Sequence, residues 1–152
     1  MSPSPPTIGS DAPAVPDVDF GAGPTALVFY KVTCPVCQMA GPKLETFERA
    51  YPGRSLGIGQ DPPEKLDAFS RQFGTTFPSR PDLPPYDISN AYGIRVVPTV
   101  VLVGTKGKVE AVAESWDREG LNALSRRLAD LAGAPYAPIS EPADGLPAFR
   151  PG

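Results

Sequence analysis

The chain has 152 residues, which is the size of one ordinary domain. A hydrophobic fraction of 41% with 20% charged residues is typical of a globular protein. No stretch reaches the roughly 18 apolar residues that a membrane-spanning helix needs. The formal net charge is −3, and the two signs are interspersed, so the sequence predicts neither a basic face for nucleic acid nor a cationic stretch for a membrane surface.

The two ends of the chain differ in composition from its middle. Residues 1–24 and 134–152 are rich in proline, glycine and other small residues and lack the periodicity of buried elements. They are interpreted as proline-rich arms on one domain that covers residues 25–133. The first residues show no cationic region followed by an apolar one, so no secretory signal is predicted. We expect a cytoplasmic protein, or a periplasmic or other extracytoplasmic one if a signal or anchor precedes this sequence.

The spacing of apolar residues predicts alternating strands and helices. The predicted strands cover residues 25–30, 56–59, 99–103 and 108–113. The predicted helices cover residues 35–51, 66–73 and 88–92, and a last helix is capped by Asp117 and closed by Gly133. The proline-dense segment 77–85 is predicted to be a loop. On the first helix, Glu45 and Glu48 are interpreted as a solvated face. These elements indicate a layered α/β domain.

The motif Cys34-Pro35-Val36-Cys37 stands where the first predicted strand turns into the first predicted helix. At that position Cys34 faces unpaired backbone N–H groups and the positive end of the helix dipole, which favour the thiolate over the thiol. Cys37 lies one helical turn further on the same side, close enough to attack a mixed disulfide formed at Cys34. We therefore predict an enzyme in which Cys34 is the nucleophile and Cys37 is the resolving thiol.

Two cysteines support neither a structural disulfide framework nor a zinc site. A bridge between residues two positions apart would close a loop too short to constrain the unfolded chain. Zinc takes four ligands, and the chain contains no histidine. We expect no metal and no cofactor.

A second signal is Pro98, which directly precedes the predicted strand 99–103. That strand is apolar throughout, as expected of a central strand, where a trans proline would be out of place. A cis peptide bond between Val97 and Pro98 would explain the position.

With these two signals in place, the sequence resembles the thioredoxin superfamily from about residue 25 to residue 131. The features that carry the resemblance are the first strand, the Cys34-Pro35-Val36-Cys37 motif, Pro42, residues 93–99 and the hairpin with Gly107. Residues 56–98 are most similar to the redoxin (AhpC/TSA-like) branch, which links thioredoxin-like reductases to peroxiredoxins. The resemblance implies an α/β thioredoxin-like fold with a central mixed sheet flanked by helices.

The resemblance also implies a substrate-binding role for two residues. Pro98 matches the family's cis-proline beside the cysteine pair, and the backbone of Val97 is expected to pair with a substrate strand. Two positions depart from the thioredoxin pattern: Val28 replaces a buried aspartate, and Glu114-Ser115-Trp116 replaces a glycine of the substrate groove. Without the aspartate, another base or a water must take the proton of the resolving thiol.

Three functions are consistent with these residues. The leading hypothesis is a thiol-disulfide oxidoreductase that reduces protein disulfides. A thiol peroxidase is the first alternative, but its P-x-x-x-T-x-x-C motif is absent, since Thr33 directly precedes Cys34. A non-catalytic carrier of Cu(I) or thiols is the second, although the thioredoxin-like copper carriers add a histidine. We expect a monomer that meets a disulfide-containing protein substrate and a thiol/disulfide electron-exchange partner.

Overall fold

The computed structural model describes residues 4–152. Its strands are β1 (Thr25–Tyr30), β2 (Ser55–Gly59), β3 (Ser79–Pro81), β4 (Thr99–Val103), β5 (Val109–Glu114), β6 (Trp116–Asp117) and β7 (Phe149–Arg150). Its α-helices are α1 (Pro35–Ala50), α2 (Pro63–Phe73), α3 (Asp87–Ala91) and α4 (Arg118–Ala132). Two 3-10 turns, Phe20–Ala22 and Pro142–Asp144, lie near the ends of the chain. Within residues 4–152, no helix combines the length and the apolar character that crossing a membrane requires.

The main sheet has the strand order β3-β2-β1-β4-β5. Strands β1, β2 and β3 are parallel, whereas β4 is antiparallel to β1 and β5 is antiparallel to β4. The sheet is therefore mixed, as the resemblance implies. Among residues 4–152, β6 and β7 form a second, two-stranded antiparallel sheet.

The side chains of β1 alternate between two hydrophobic clusters. Val28 and Tyr30 belong to the cluster that contains the buried side chains of α1, α2 and α4. Leu27 and Phe29 belong to the cluster on the opposite face, which α3 and residues 12–20 cover. Successive right-handed crossovers that run in one direction along a sheet place their helices on the same face, which explains why α1 and α2 share a face.

The predicted loop at residues 77–85 is wrong for Ser79–Pro81, which form β3. The N–H of Gly57 donates to the carbonyl of Pro78 at 2.7 Å, and the N–H of Asp82 donates to the carbonyl of Gly59 at 2.7 Å. Because β3 is an edge strand, a residue without an N–H is tolerated in it. The high proline content led to the prediction of a loop where a short strand forms.

The N-terminal residues lie against the start of β5 and the second face of the sheet. Gly9 donates its N–H to the carbonyl of Val109, and Ala12 donates to that of Gly107, both at 2.8 Å. The Tyr92 hydroxyl donates to the carbonyl of Pro13 at 2.6 Å, and Val15 is buried. Both arms thus contact the core, because Ile139 of the C-terminal arm is buried as well. The division of the chain after residues 24 and 133 stays a prediction.

The solvated face assigned to α1 is wrong for Glu45, which is only 4% exposed. Its carboxylate accepts the N–H of Thr76 at 2.7 Å, the N–H of Phe77 at 3.3 Å and the hydroxyl of Thr76. A charge that is this buried is stabilised by such donors. Glu45 therefore connects α1 to the segment that leads into β3.

Candidate active site

The cysteine motif lies at the junction of β1 and α1. Cys34 is the N-cap residue of α1, with an extended backbone (φ −78°, ψ 117°), and Pro35 is the first helical residue. The N–H of Cys34 donates to the carbonyl of Lys31 at 3.1 Å, and the N–H of Gln38 donates to the carbonyl of Cys34 at 3.0 Å. Pro35 fits its position because its φ is helical and the first helical turn does not use its missing N–H.

The two cysteines are free thiols that differ in exposure. Cys34 is half-buried, whereas Cys37 is only 1% exposed. The Cys34 sulfur accepts the backbone N–H of Cys37 at 3.4 Å and donates to the carbonyl of Val97 at 3.5 Å. The Cys34 sulfur is therefore accessible to an incoming group, whereas the Cys37 sulfur lies in the interior beneath Cys34.

The environment of Cys37 keeps its thiol protonated. Burial raises the pKa of Cys37 well above its usual range, and the neighbouring Cys34 and Asp61 raise it further, against a smaller opposing effect of the Lys31 backbone. Val28, in place of the thioredoxin aspartate, is fully buried and offers no proton acceptor. The Asp61 carboxylate follows β2 and accepts the N–H of Val32 at 2.9 Å.

The loop before β4 lies beside the cysteine motif. The peptide bond between Val97 and Pro98 is cis, as the sequence predicts. Because β4 is antiparallel to β1 and Thr99 is opposite Phe29, the residues just before β4 meet the carboxyl end of β1. The structure thus brings together Cys34, Cys37, Val97 and Pro98.

The turn after β5 contacts the loop before β4. The N–H of Ser115 donates to the carbonyl of Pro98 at 2.8 Å. Ser115 has φ +68°, which favours glycine. The guanidinium of Arg95 binds both carboxylate oxygens of Glu114 at 2.8 and 2.9 Å, which ties the loop to the end of β5.

The sequence did not indicate that the C-terminal arm would reach this site. The guanidinium of Arg150 donates to the sulfur of Met39 on α1 at 3.7 Å. Gly152 donates its N–H to the hydroxyl of Ser115 at 3.1 Å. The positive φ of Ser115 marks a position normally held by glycine, but no pattern in residues 134–152 predicts their place.

No metal-binding cluster is present among the described residues: nowhere in residues 4–152 do three or more His, Cys, Asp or Glu side chains come close enough to hold an ion.

Comparison with known proteins places this site in a family. The model of the AhpC/TSA family matches residues 14–112, which is more than half of the chain. The chain belongs to the AhpC/TSA family. The match includes the cysteine pair of this AhpC/TSA protein as well as Val97 and Pro98. A search of curated proteins finds no match.

Solved structures similar to this AhpC/TSA protein share its fold. A putative protein disulfide isomerase from Bacteroides thetaiotaomicron is 23% identical, with a TM-score of 0.73 over 88% of this chain and 95% of that one. DsbF of Mycobacterium tuberculosis is 22% identical, with a TM-score of 0.60 over 71% and 80% of the two chains. A putative thioredoxin from Neisseria meningitidis is 25% identical, with a TM-score of 0.56 over 74% and 80%. The thioredoxin-like fold is therefore confirmed.

Proposed function

We propose that this AhpC/TSA protein is a thiol-disulfide oxidoreductase that reduces disulfides in protein substrates. One observation carries the proposal: Cys34 is half-exposed at the N-terminus of α1, and its sulfur accepts the N–H of the buried Cys37. Backbone N–H groups at a helix N-terminus stabilise a thiolate, which is the attacking form in disulfide exchange. The names of the similar structures, which include a putative protein disulfide isomerase and a putative thioredoxin, support the same activity.

The reaction has two exchange steps. The Cys34 thiolate attacks one sulfur of the substrate disulfide, a Cys34–substrate disulfide forms, and the other substrate sulfur leaves as a thiolate that takes up a proton. Cys37 then attacks the Cys34 sulfur, which forms the Cys34–Cys37 disulfide and releases the second substrate sulfur. Two electrons pass from the cysteine pair to the substrate, which ends as two thiols.

The proton on Cys37 controls the second step. Because burial raises the pKa of Cys37, this thiol does not compete with Cys34 for the substrate. In the mixed disulfide, the departing substrate sulfur takes up the proton that Cys37 releases, directly or through water. The nucleophile and the resolving thiol are thus distinguished by burial.

Two partners are part of the proposal. A substrate strand would lie beside the backbone of Val97 and the ring of Pro98, because this loop contacts the Cys34 sulfur. A second thiol compound or protein is needed to reduce the Cys34–Cys37 disulfide after each turnover, since the exchange leaves the pair oxidised.

We also propose that the chain is a monomer. Support comes from the edges of the main sheet: β3 has three residues and contains Pro81, and residues 9–12 pair with residues 107–109 at the start of β5. Short, proline-containing or covered edges disfavour pairing between copies. Analytical ultracentrifugation tests this proposal. The cytoplasmic location stays a prediction from the sequence.

Membership of the AhpC/TSA family favours one alternative, a thiol peroxidase. In that reaction the Cys34 thiolate would attack a peroxide oxygen, the O–O bond would break, and a sulfenic acid would form on Cys34 while water or an alcohol leaves. Cys37 would then condense with the sulfenic acid, which forms the Cys34–Cys37 disulfide and releases a second molecule, water. The residues around Cys34 oppose this alternative, since Thr33 is adjacent to the cysteine and not three residues before it. Consumption of hydrogen peroxide faster than reduction of a protein disulfide would favour the peroxidase.

The redox equilibrium of the cysteine pair tests the proposed function. The protein is equilibrated in glutathione buffers of different potential, and free thiols are alkylated and counted by mass. A potential near or below about −220 mV, together with turnover of a protein disulfide, is the expected result for a reductase, whereas one near about −120 mV would indicate a disulfide donor outside the cytosol. Failure of the pair to form a disulfide would contradict the proposal.

A further inference from the structure

The end of the described chain lies against the carbonyl group that the Cys34 sulfur contacts. A β-carbon added to Gly152 would overlap the carbonyl oxygen of Val97 and lie 2.8 Å from its carbonyl carbon. The Cys34 sulfur donates to the same oxygen at 3.5 Å. Gly152 therefore lies beside the nucleophile proposed above.

Residues 147–152, here called the C-terminal strap, are held by the elements that surround the site. The indole N–H of Trp116 donates to the carbonyl of Pro147 at 2.6 Å. Strand β7 of the strap pairs with β6, with Arg150 opposite Trp116. The strap also contacts Met39 through Arg150, and its N–H at Gly152 donates to the hydroxyl of Ser115. It thus spans from α1 to the turn after β5.

These contacts hold the strap at the surface without burying it. All six of its residues are exposed. The side chains beneath it differ, since Trp116 is fully buried and Ser115 is 8% exposed. A segment whose own residues are all exposed and which is held mainly by hydrogen bonds opens at lower cost than the core. The strap can therefore leave while the domain stays folded.

We propose that the C-terminal strap is a specificity element that occupies the place of a substrate strand and keeps folded protein disulfides away from Cys34. The inference rests on the proposed function, because a substrate strand would approach the backbone of Val97, where Gly152 now lies. Small disulfides need less of this surface and reach the half-exposed sulfur with the strap in place. Unfolded or extended protein segments displace the strap and pair with the freed loop.

Two residues allow the strap to be loosened without changing the cysteines. Replacement of Ser115 by glycine removes the hydroxyl that accepts the Gly152 N–H and suits the positive φ at this position. Replacement of Gly152 by valine introduces a β-carbon that overlaps the Val97 carbonyl, so one of the two segments must shift, and the strap is the exposed one. Asp17→Gly is the matched control, because Asp17 also has a positive φ (64°) and stands far from the strap in the sequence.

The first experiment measures access to Cys34 and needs no disulfide exchange. In the Cys37→Ser background, the Cys34 thiol is alkylated with iodoacetamide and with a maleimide on a long polyethylene glycol chain. Ser115→Gly and Gly152→Val are expected to raise the rate with the large reagent several-fold and to change the rate with iodoacetamide little. The Asp17→Gly control is expected to change neither. Equal rate ratios in all variants would overturn the inference.

The second experiment separates this inference from the proposed function. With both cysteines present, reduction of oxidised glutathione is compared with reduction of insulin as a folded disulfide protein. A several-fold higher insulin-to-glutathione rate ratio in Ser115→Gly and Gly152→Val supports the strap as a specificity element. Reduction of both compounds with an unchanged ratio overturns it. If the parent protein reduces neither oxidised glutathione nor insulin, the proposed function is contradicted. In that case the alkylation rate ratios still decide whether the strap covers Cys34.

Discussion

The sulfur of Cys34 accepts the backbone N–H of Cys37 at 3.4 Å, although the side chains of these two residues have opposite environments. Cys34 is half-buried at the N-cap of α1, whereas the thiol of Cys37 is in the hydrophobic cluster beneath the helix. The same turn of backbone thus leaves one sulfur half-exposed and keeps the other buried, where burial raises its pKa. This difference has consequences that can be measured.

The first prediction concerns stability at alkaline pH. Burial raises the pKa of Cys37, whereas a thiol in the unfolded chain loses its proton near pH 8.5, which is about its unperturbed pKa. Above that pH the unfolded state binds fewer protons than the folded state. The free energy of unfolding therefore falls with rising pH, by up to about 1.4 kcal/mol per pH unit for one such group.

Cys37→Ser removes this contribution. Urea unfolding under reducing conditions, between about pH 8.5 and about pH 9.5, should show a shallower decline for Cys37→Ser than for the parent. Burial also raises the pKa of Tyr30 and Tyr92, so tyrosines that ionise in the unfolded chain at about pH 10 add to the decline of both proteins alike, and the difference between the two slopes reports on Cys37. Parallel declines in the two proteins would show that Cys37 does not retain its proton in the folded state.

A second prediction concerns the buried carboxylate of Glu45. Glu45→Ala leaves the backbone N–H groups of Thr76 and Phe77 without their acceptor, so we expect the free energy of unfolding to fall by about 3 kcal/mol. Glu64→Ala is the control, because Glu64 is an exposed residue in the first turn of α2, and it should cost less than about 1 kcal/mol. Chemical denaturation measures the free energy of unfolding of the two variants. Equal losses in Glu45→Ala and Glu64→Ala would contradict a stabilising role for the hydrogen bonds between α1 and the segment before β3.

A third prediction concerns the attachment of the C-terminal arm to α4. The Asn122 side chain accepts the N–H groups of Ile139 and Ser140 at 2.7 and 3.2 Å and donates to the carbonyl of Ser140 at 2.9 Å. Asn122→Ala should reduce the free energy of unfolding by about 2 kcal/mol and speed hydrogen exchange at these two amides. Arg127→Ala on the same helix removes an exposed ion pair with Glu110 and should cost less than about 1 kcal/mol. Unchanged exchange at residues 139 and 140 in Asn122→Ala would contradict this role.

Local patterns were sufficient to predict the framework of the site. The apolar run of β1 and its continuation into α1 through Pro35 depend on neighbouring residues, so the strand, the helix start and the place of Cys34 follow from short segments. The proline before β4 adds the second half of the site, because the family resemblance assigns it a position beside the cysteines.

What the sequence did not predict depends on contacts between distant residues. The acceptor role of Glu45 involves Thr76, 31 residues later, and a charge on a helix gives no sign of such a partner. The strand Ser79–Pro81 forms through pairing with β2, in spite of its prolines. Asp117 is the N-cap residue of α4 as predicted, yet its side chain accepts no capping hydrogen bond. In the first two cases a tertiary contact overrides what the local pattern favours, and the structure gives no reason for the third.

The most direct test of the central claim is to trap the covalent intermediate. The Cys34→Ser and Cys37→Ser variants are incubated with a disulfide-containing protein, the reaction is quenched with acid, and the products are weighed by mass spectrometry. Cys37→Ser should accumulate a mixed disulfide between Cys34 and the substrate, whereas Cys34→Ser should form no adduct and show no turnover. Comparable turnover by both variants, or an adduct on Cys34→Ser, would contradict the assignment of Cys34 as nucleophile and Cys37 as resolving thiol.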